Sequence, residues 1–377
     1  MAARAASRSR SPPAELQLLI WDVALPGAPG ARLQPVSLAE LRTRLGAGAA
    51  ADAPADAPAG VVPVTAICRW DASDAEVRGD AFRLADKAAY PALRLEARHA
   101  TARCARCCFD EATHVYTVDG LRVPWSGTTF SHLCEHAFDA EATLDEYYSE
   151  AWAQNKGHVH ADGRAFSRGE VAEEWRGNGE QQSRLGTLMH WHIECHLNGY
   201  VIAEPRSPEF RMYLDFEARF LRPLGLEPWR TEMNLFHCGL RLAGQADLVC
   251  RAPDGRLAIL DWKRSREIKA GGFRGRRMQP PLEHLPDCNL WTYCLQLNTY
   301  RHMLESEYEL PVGEMFIVVL HPGQLPAPCG AHVYRVPRLE AEISALVAHA
   351  AALHGTGLAP RPGPQAPFEL DGLRFAR

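Results

Sequence analysis

The pattern of apolar and polar positions is organised around Leu242 to Lys263, LAGQADLVCRAPDGRLAILDWK. Two β-strands joined by a tight turn are predicted there. The first, Leu242 to Cys250, carries Asp247 among apolar residues. The turn is Ala252 to Gly255, with Pro253 suited to position i+1 and Gly255 free to take positive φ. The second, Leu257 to Trp262, is apolar until Asp261, and Lys263 follows two residues on. Period-2 geometry puts Asp261 and Lys263 on one face of their strand, and a hairpin brings Asp247 alongside. Two carboxylates and an ammonium at the end of a buried hairpin are costly unless something pairs them. A divalent cation is the natural partner, because oxygen ligands suit Mg²⁺ or Mn²⁺. A bare D-x-K is most often a solvated strand end, so the flanking sequence has to decide.

Upstream, strands are expected at Leu16–Val23 and Val61–Trp70, and a short helix at Leu38–Leu45. The Ala/Pro/Asp stretch Ala47–Gly60 reads as a linker. From His114 the pattern strengthens: an alternating strand and turn to Gly120, then Val123–Thr129. Helical periodicity follows at Thr143–Asn155, Ser167–Gly177, Gln181–Leu197 and Pro208–Leu221. Pro228–Phe236 is a strand holding Glu232. Beyond the hairpin come a helix at Asn289–Ser306, an apolar strand at Met315–Leu320 and an Ala-rich helix at Leu339–His354. The expected organisation is an N-terminal region of residues 1–105 of unassigned role, a domain of residues 106–355, and a Pro-rich tail of residues 356–377.

Composition narrows the reading. The chain has 377 residues and a formal charge of −5, so it is not a globally basic nucleic-acid coat, and contact with a polyanion needs local patches. One is present. Residues 263–278 hold Lys263, Arg264, Arg266, Lys269, Arg274, Arg276 and Arg277 against Glu267 alone, with Gly271, Gly272 and Gly275 predicting a flexible loop. Leaving the acidic hairpin directly, this run is suited to phosphate. No apolar stretch is long enough to span a membrane. The 11 cysteines are scattered, and an odd count without a secretory segment predicts reduced thiols inside a cell. Arg4, Arg8 and Arg10 in an acid-free start resemble an organelle transit peptide, which leaves mitochondrion, another organelle or nucleus open. Cys104, Cys107 and Cys108 would need a fourth ligand, His99, His114 or Cys134, to hold zinc; unligated thiols are the simpler expectation.

In order, the chain offers Gly186-Thr-Leu-Met-His190, then Glu232, Gly244-Gln-Ala-Asp247, Asp261-Trp-Lys263 and Gln296-Leu-Asn-Thr-Tyr300. Taken together, this series resembles the RecB-like branch of the PD-(D/E)XK nucleases, whose marks are GxxxH, GxxD, DxK and QxxxY on helix, strand, strand and helix. Mitochondrial genome maintenance exonucleases and large-DNA-virus and phage exonucleases share the arrangement. The resemblance covers roughly residues 110–325, and the order of all four motifs makes it specific. It implies an α/β fold: a restriction-endonuclease-like core with a mixed central sheet flanked by helices. It implies that His190, Asp247, Asp261 and the backbone carbonyl of Trp262 hold Mg²⁺ or Mn²⁺, and that Lys263 positions or activates the attacking water. Gln296 and Tyr300 would hold DNA or the lysine-bearing strand in register. Glu194, one turn from His190, and Glu232 would support the site from behind. Some relatives carry an iron–sulfur cluster held by a cysteine triplet beyond the QxxxY helix. Here only Cys329 lies there, so no cluster is expected.

The expected activity is a metal-dependent deoxyribonuclease, an exonuclease on single-stranded DNA ends or flaps in replication, repair or recombination. Two rivals stand beside it. One is a structure-specific endonuclease of resolvase or transposon-associated type. The other is a DNA-binding protein on an inactive nuclease fold, which the complete set of acids and lysine disfavours.

Overall fold

The hairpin forms as the alternation predicts, and it sits inside an eight-stranded mixed sheet. The computed structural model describes residues 17–25, 33–46, 62–63, 94–110, 113–202, 206–324, 329–355, 368–370 and 373–375. The sheet strands in chain order are β1 Gln17–Asp22, β2 Gln34–Pro35, β3 Trp125–Ser126, β4 Glu227–His237, β5 Leu242–Arg251, β6 Leu257–Lys263, β7 Val312–Val319 and β8 Cys329–Arg335. Across the sheet the order is β2-β1-β8-β7-β6-β5, and β5 pairs with both β3 and β4. β5 and β6 are antiparallel, with Leu248 opposite Leu260. Their turn is closed by Ala252 N–H donating to the Arg256 carbonyl at 2.9 Å, and Gly255 takes φ 85°.

β6 and β7 run parallel, which no short turn can connect. The crossover is supplied by a helix, Asn289–Glu307. The helices flanking the sheet and site are α1 Leu38–Arg44, α2 Gly127–Ser131, α3 Ala140–Tyr147, α4 Glu150–Lys156, α5 Arg168–Leu197, α6 Pro208–Phe216, α7 Asn289–Glu307 and α8 Glu340–Gly355. Both sheet faces are covered. Leu248, Ala258, Leu260, Trp262, Phe316 and Val318 join the core formed with α5 and α6. Leu257, Ile259, Ile317 and Val319 join the core formed with α7 and α8. Alternation along β6 therefore sends Asp261 and Lys263 toward α7, on the side of Ile259.

Two helical boundaries differ from expectation. The break expected near Gly177 is absent: α5 is one helix of 30 residues. Glycine in a helix costs about 1 kcal/mol relative to alanine. Here tertiary contacts outweigh that cost. Ser167 and Glu170 form a capping box, and Trp175 packs on Phe138 and Trp152 with ring centroids 5.8 and 6.3 Å apart. Conversely, the single helix expected over Thr143–Asn155 is two, α3 and α4. Tyr148 leaves helical geometry and Ser149 caps α4 by accepting from Trp152 N–H.

Part of the N-terminal region expected over residues 1–105 joins the sheet. β1 pairs in parallel with β8, Ile20 opposite Val333, and Arg335 bridges Asp22 and Glu314 at 2.9 and 2.6 Å. Residues 17–22 thus belong to the same sheet as the hairpin. Alternation identified the strand but cannot name a partner so far along the chain. Of the strand expected at Val61–Trp70, only Val62–Pro63 falls among the described residues. The start of the chain and most of the Pro-rich tail lie outside them, apart from the strand pair Phe368–Leu370 and Leu373–Phe375. Among the described residues, Cys104, Cys107 and Cys108 form no metal-ligand group with His99, His114 or Cys134. Burial pushes the Cys107 thiol up to about 12. No described helix is long and apolar enough to cross a membrane.

If β1 is integral to the sheet, Ile20→Ala should lower stability by about 2–4 kcal/mol, since Ile20 is buried in the core. Urea unfolding followed by tryptophan fluorescence checks this. A shift below about 0.5 kcal/mol would detach the strand from the cooperative unit.

Candidate active site

Four elements converge at the open end of the hairpin: α5, β4, the β5–β6 pair and α7. Asp247 lies on β5 between Ala246, paired with Met233, and Leu248, paired with Thr231. Glu232 on β4 is therefore its cross-strand counterpart. Glu232 takes φ 45°, a left-handed conformation uncommon for a residue with a side chain and typical of functional positions. His190 reaches the pair from α5. Its Nδ1 lies 3.6 Å from Asp247 Oδ2 and 3.8 Å from Glu232 Oε1. Ligand atoms of these three residues all fall within 4.8 Å of one another. The other ring nitrogen, Nε2, donates to the Trp262 carbonyl at 3.1 Å. That bond fixes the ring and leaves Nδ1 as the atom aimed at the carboxylates, the usual arrangement of a metal-binding imidazole.

The strand β6 contributes the second half of the site. Trp262 N–H donates to Asp247 Oδ2 at 2.7 Å, which ties the two strands where the ladder opens. Lys263 Nζ lies 2.7 Å from Asp261 Oδ2 and donates to Gln296 Oε1 at 3.0 Å. Gln296 Nε2 in turn donates to the Tyr300 hydroxyl at 2.9 Å. Gln296 and Tyr300, four residues apart on α7, share a face. Tyr293, three residues before Gln296, is on that face as well, and its ring lies 4.6 Å from Lys263 Nζ.

Glycine in the G-x-x-D stretch has a steric reason. A Cβ on Gly244 would come 2.7 Å from Cε1 of Tyr300, and one on Gly127, at the start of α2, would come 2.5 Å from the same atom. Two bare backbones thus make the slot for the tyrosine ring. Gly186, by contrast, has nothing within 4 Å of its would-be Cβ.

Electrostatics follow from burial. Burial raises the carboxyl of Asp247, the nearby imidazole and ammonium opposing it. Burial also pushes Asp261 up to about 6, against the pull of Lys263. For Lys263 burial acts downward, but the carboxylates of Asp261 and Asp247 outweigh it and hold the ammonium charged. For His190 burial likewise acts downward, and Asp247 and Glu232 reverse it, raising the imidazole to about 9. The two carboxylates facing it thus favour the protonated imidazole. One nitrogen and two carboxylate oxygens form a donor set that fits a Mg²⁺- or Mn²⁺-like cation taking that proton's place.

The sequence-predicted residues fare differently. His190, Asp247, Asp261, Lys263, Gln296 and Tyr300 are brought together. Glu232, expected only as support, lies with His190 and Asp247 in the group that could hold a metal ion, and its signal was its place opposite Asp247 in the antiparallel register. Asp261, expected as a ligand, is turned to Lys263 and lies outside the three-residue group. The Trp262 carbonyl, also expected as a ligand, accepts from His190. Glu194 is buried, and both nitrogens of His190 face other groups. Of the basic run, Arg264 is buried against Glu209 at 2.9 Å and also donates to Gln182, so its guanidinium is committed to the fold. Arg276 pairs with Asp287 at 2.7 Å, Arg274 with Glu146 at 3.6 Å, and Arg277 donates to the His284 carbonyl at 2.7 Å. Arg266 and Lys269 are exposed. The loop is less free than its glycines suggested: Lys269 N–H donates to Asn289 Oδ1, and Asp287 N–H to the Arg276 carbonyl. Tyr293 and Gly127 were missed. Helical spacing from Gln296 could have found the first; only the Tyr300 slot reveals the second.

Comparison with known proteins settles the family. The sequence matches the PD-(D/E)XK nuclease superfamily over residues 130–367, more than half of the chain. The chain belongs to that superfamily. The mixed sheet flanked by helices is the restriction-endonuclease-like architecture expected of a member, and the family is one of metal-dependent nucleases. A solved structure described as "Crystal structure of SSO0001" is 16% identical and aligns over 69% of this chain and 82% of its own, with a TM-score of 0.26. An overlap that low adds nothing to the assignment. No curated protein matches the chain.

Two outcomes follow for this nuclease. Gly244→Ala should destabilise it by about 1–3 kcal/mol by forcing the Tyr300 ring to move. Tyr300→Ala in the same chain should recover part of that loss, measured as urea midpoints; an additive pair would rule out the steric account. Second, a cation must displace the proton that His190 holds up to about pH 9. Apparent Mn²⁺ affinity should therefore rise about tenfold per pH unit between pH 7 and 9. Calorimetry at three pH values checks the slope, and a flat profile would exclude His190 as the ligand.

Proposed function

We propose that this nuclease is a Mg²⁺- or Mn²⁺-dependent deoxyribonuclease of the RecB-like branch that hydrolyses phosphodiester bonds at single-stranded DNA ends or flaps. The observation that carries the reading is the lysine. The Lys263 ammonium is fixed between Asp261 and Gln296, beside the His190–Glu232–Asp247 group.

His190, Glu232 and Asp247 would hold the cation, which withdraws charge from a phosphate oxygen and makes water a better acid. Lys263 donates from Nζ to the attacking water or to the phosphate oxygen facing it. Asp261 keeps that ammonium charged, and Gln296, itself held by Tyr300, limits where it can point. Trp262 keeps Asp247 and His190 in register through its own N–H and carbonyl. Such fixed charges stabilise negative charge developing at phosphorus without reorganisation.

Preference for an end rests on the arms beside the site. Residues 264–287 and 135–147 are tied to each other and to α7. Asp287 accepts from His136 at 3.0 Å and pairs with Arg276, and Gln279 Nε2 donates to the Glu135 carbonyl at 3.0 Å. Arms tied across a strand favour entry by a free end. On such a substrate the activity would serve DNA replication, repair or recombination.

The test uses the full chain with Mg²⁺ on an end-labelled single-stranded oligonucleotide and on a covalently closed circle of the same sequence. The linear strand should yield a ladder and the circle should stay intact. Lys263→Ala and Asp261→Ala should each slow cleavage by roughly 10²–10⁴-fold while leaving metal-free binding in place. Nicking of the circle would turn the assignment to an endonuclease, and cleavage indifferent to Lys263 would remove the site from the reaction.

A further inference from the structure

The loop after β6 carries an unusual tip. Phe273 is 63% exposed, among the few large apolar side chains so presented in the described residues. Its ring meets that of Tyr147, from α3, edge to face, with centroids 6.4 Å apart. The Arg274 guanidinium lies over both rings, 4.9 Å from the Tyr147 centroid and 5.4 Å from that of Phe273. This tip is held by its backbone. A Cβ on Gly272 would fall 2.0 Å from the Arg276 carbonyl oxygen, so only glycine allows the chain to fold back there. Arg276 N–H closes the turn on the Phe273 carbonyl at 3.0 Å. Arg274 itself takes φ 54°, a costly conformation kept only where the surroundings impose it. An exposed aromatic ring on a strained, fixed turn has no role in the core.

Its position suggests one. The turn springs from the strand that carries Lys263 and is anchored through Arg276 and Asp287 just before α7, whose Tyr293 and Gln296 touch the lysine. Arg266, Lys269 and Arg277 are exposed on the same loop. The acids of α3 are engaged: Glu141 and Asp145 with Arg168, Glu146 with Arg274. The last is an exposed pair at 3.6 Å, the kind that contributes little and yields readily to a phosphate. Flat rings beneath an arginine, on a loop with further exposed cations, match an unpaired nucleic-acid strand, whose bases offer π faces and whose backbone offers charge. Paired bases hide those faces.

We propose that Phe273, Tyr147 and Arg274 form a base-stacking platform that grips an unpaired strand as it approaches the active site. The inference rests on the nuclease reading above and adds to it how an unpaired strand is told from a duplex. The exposed face of Phe273 stacks on a base, Tyr147 backs it, and Arg274 leaves Glu146 for the phosphate.

The experiment measures binding of the full chain, without divalent metal, to three fluorescent probes of equal length: an oligothymidylate, the same strand with consecutive abasic residues, and a blunt duplex. Wild type should bind the oligothymidylate about tenfold tighter than the abasic strand, the order expected for one stacked base. Phe273→Ala and, separately, Tyr147→Leu should lose most of that ratio. Phe273→Trp should keep it and Phe273→Leu should not. The salt dependence of Phe273→Ala should stay unchanged, because no phosphate contact is lost. Equal discrimination by wild type and Phe273→Ala overturns the platform even if one variant folds poorly, since the ratio is internal to each protein. A wild type that cleaves DNA with Mg²⁺ but ignores base removal overturns the platform alone. One that neither binds nor cleaves overturns the nuclease reading and the platform with it.

Discussion

The contact between Lys263 and Asp261 organises everything around it. A buried carboxylate without a partner would ionise only at great cost, and a buried ammonium likewise. Side by side at the end of β6 they satisfy each other, and that allows both to sit where water is scarce and charge acts strongly. Much of the neighbouring architecture keeps the pair in place. β7 runs parallel to β6 and covers one edge, β5 covers the other, and α7 lays Gln296 against the ammonium. The crossover helix is thus at once the connection that a parallel pair demands and the wall of the site. Here the topology and the chemistry have the same cause.

The strands of the hairpin and the identity of its charged residues were legible because both follow from a short-range rule. Period-2 alternation set the face of Asp261 and Lys263, and helical spacing set Gln296 with Tyr300. The role of Glu232 was harder to see. Its partnership with Asp247 depends on antiparallel register across β4 and β5, which the sequence implies only once the pairing is known. Asp261 is read from its motif as a ligand, and here its carboxylate meets the lysine of the same motif at 2.7 Å. Helix boundaries failed for another reason. Gly177 argued for a break in α5 on local propensity, and the packing of Trp175 overrode it.

The basic loop shows how far composition can mislead. Seven cations on a glycine-rich stretch read as a mobile, uniformly phosphate-seeking arm. In the fold they divide. Lys263 is held by Asp261 and Gln296, Arg264 packs against Glu209, Arg276 anchors the loop to Asp287, and Arg266 and Lys269 face outward. Gly272 and Gly275 serve a rigid turn, not a slack one. Charge counted along a chain says nothing of which charges are already engaged.

The parallel pairing of β1 with β8 carries a consequence for how the chain is made. Asp22 and Arg335 are 313 residues apart in sequence. At ribosomal rates of about 5–20 residues per second, β1 leaves the exit tunnel tens of seconds before its partner exists. β1 can join the sheet only after β8 has been synthesised. Until then Leu18 and Ile20 form an apolar segment with an unpaired edge, open to self-association or to capture by a chaperone. Docking of β1 therefore waits on β8, and a chain cut short before β8 leaves β1 without its parallel partner.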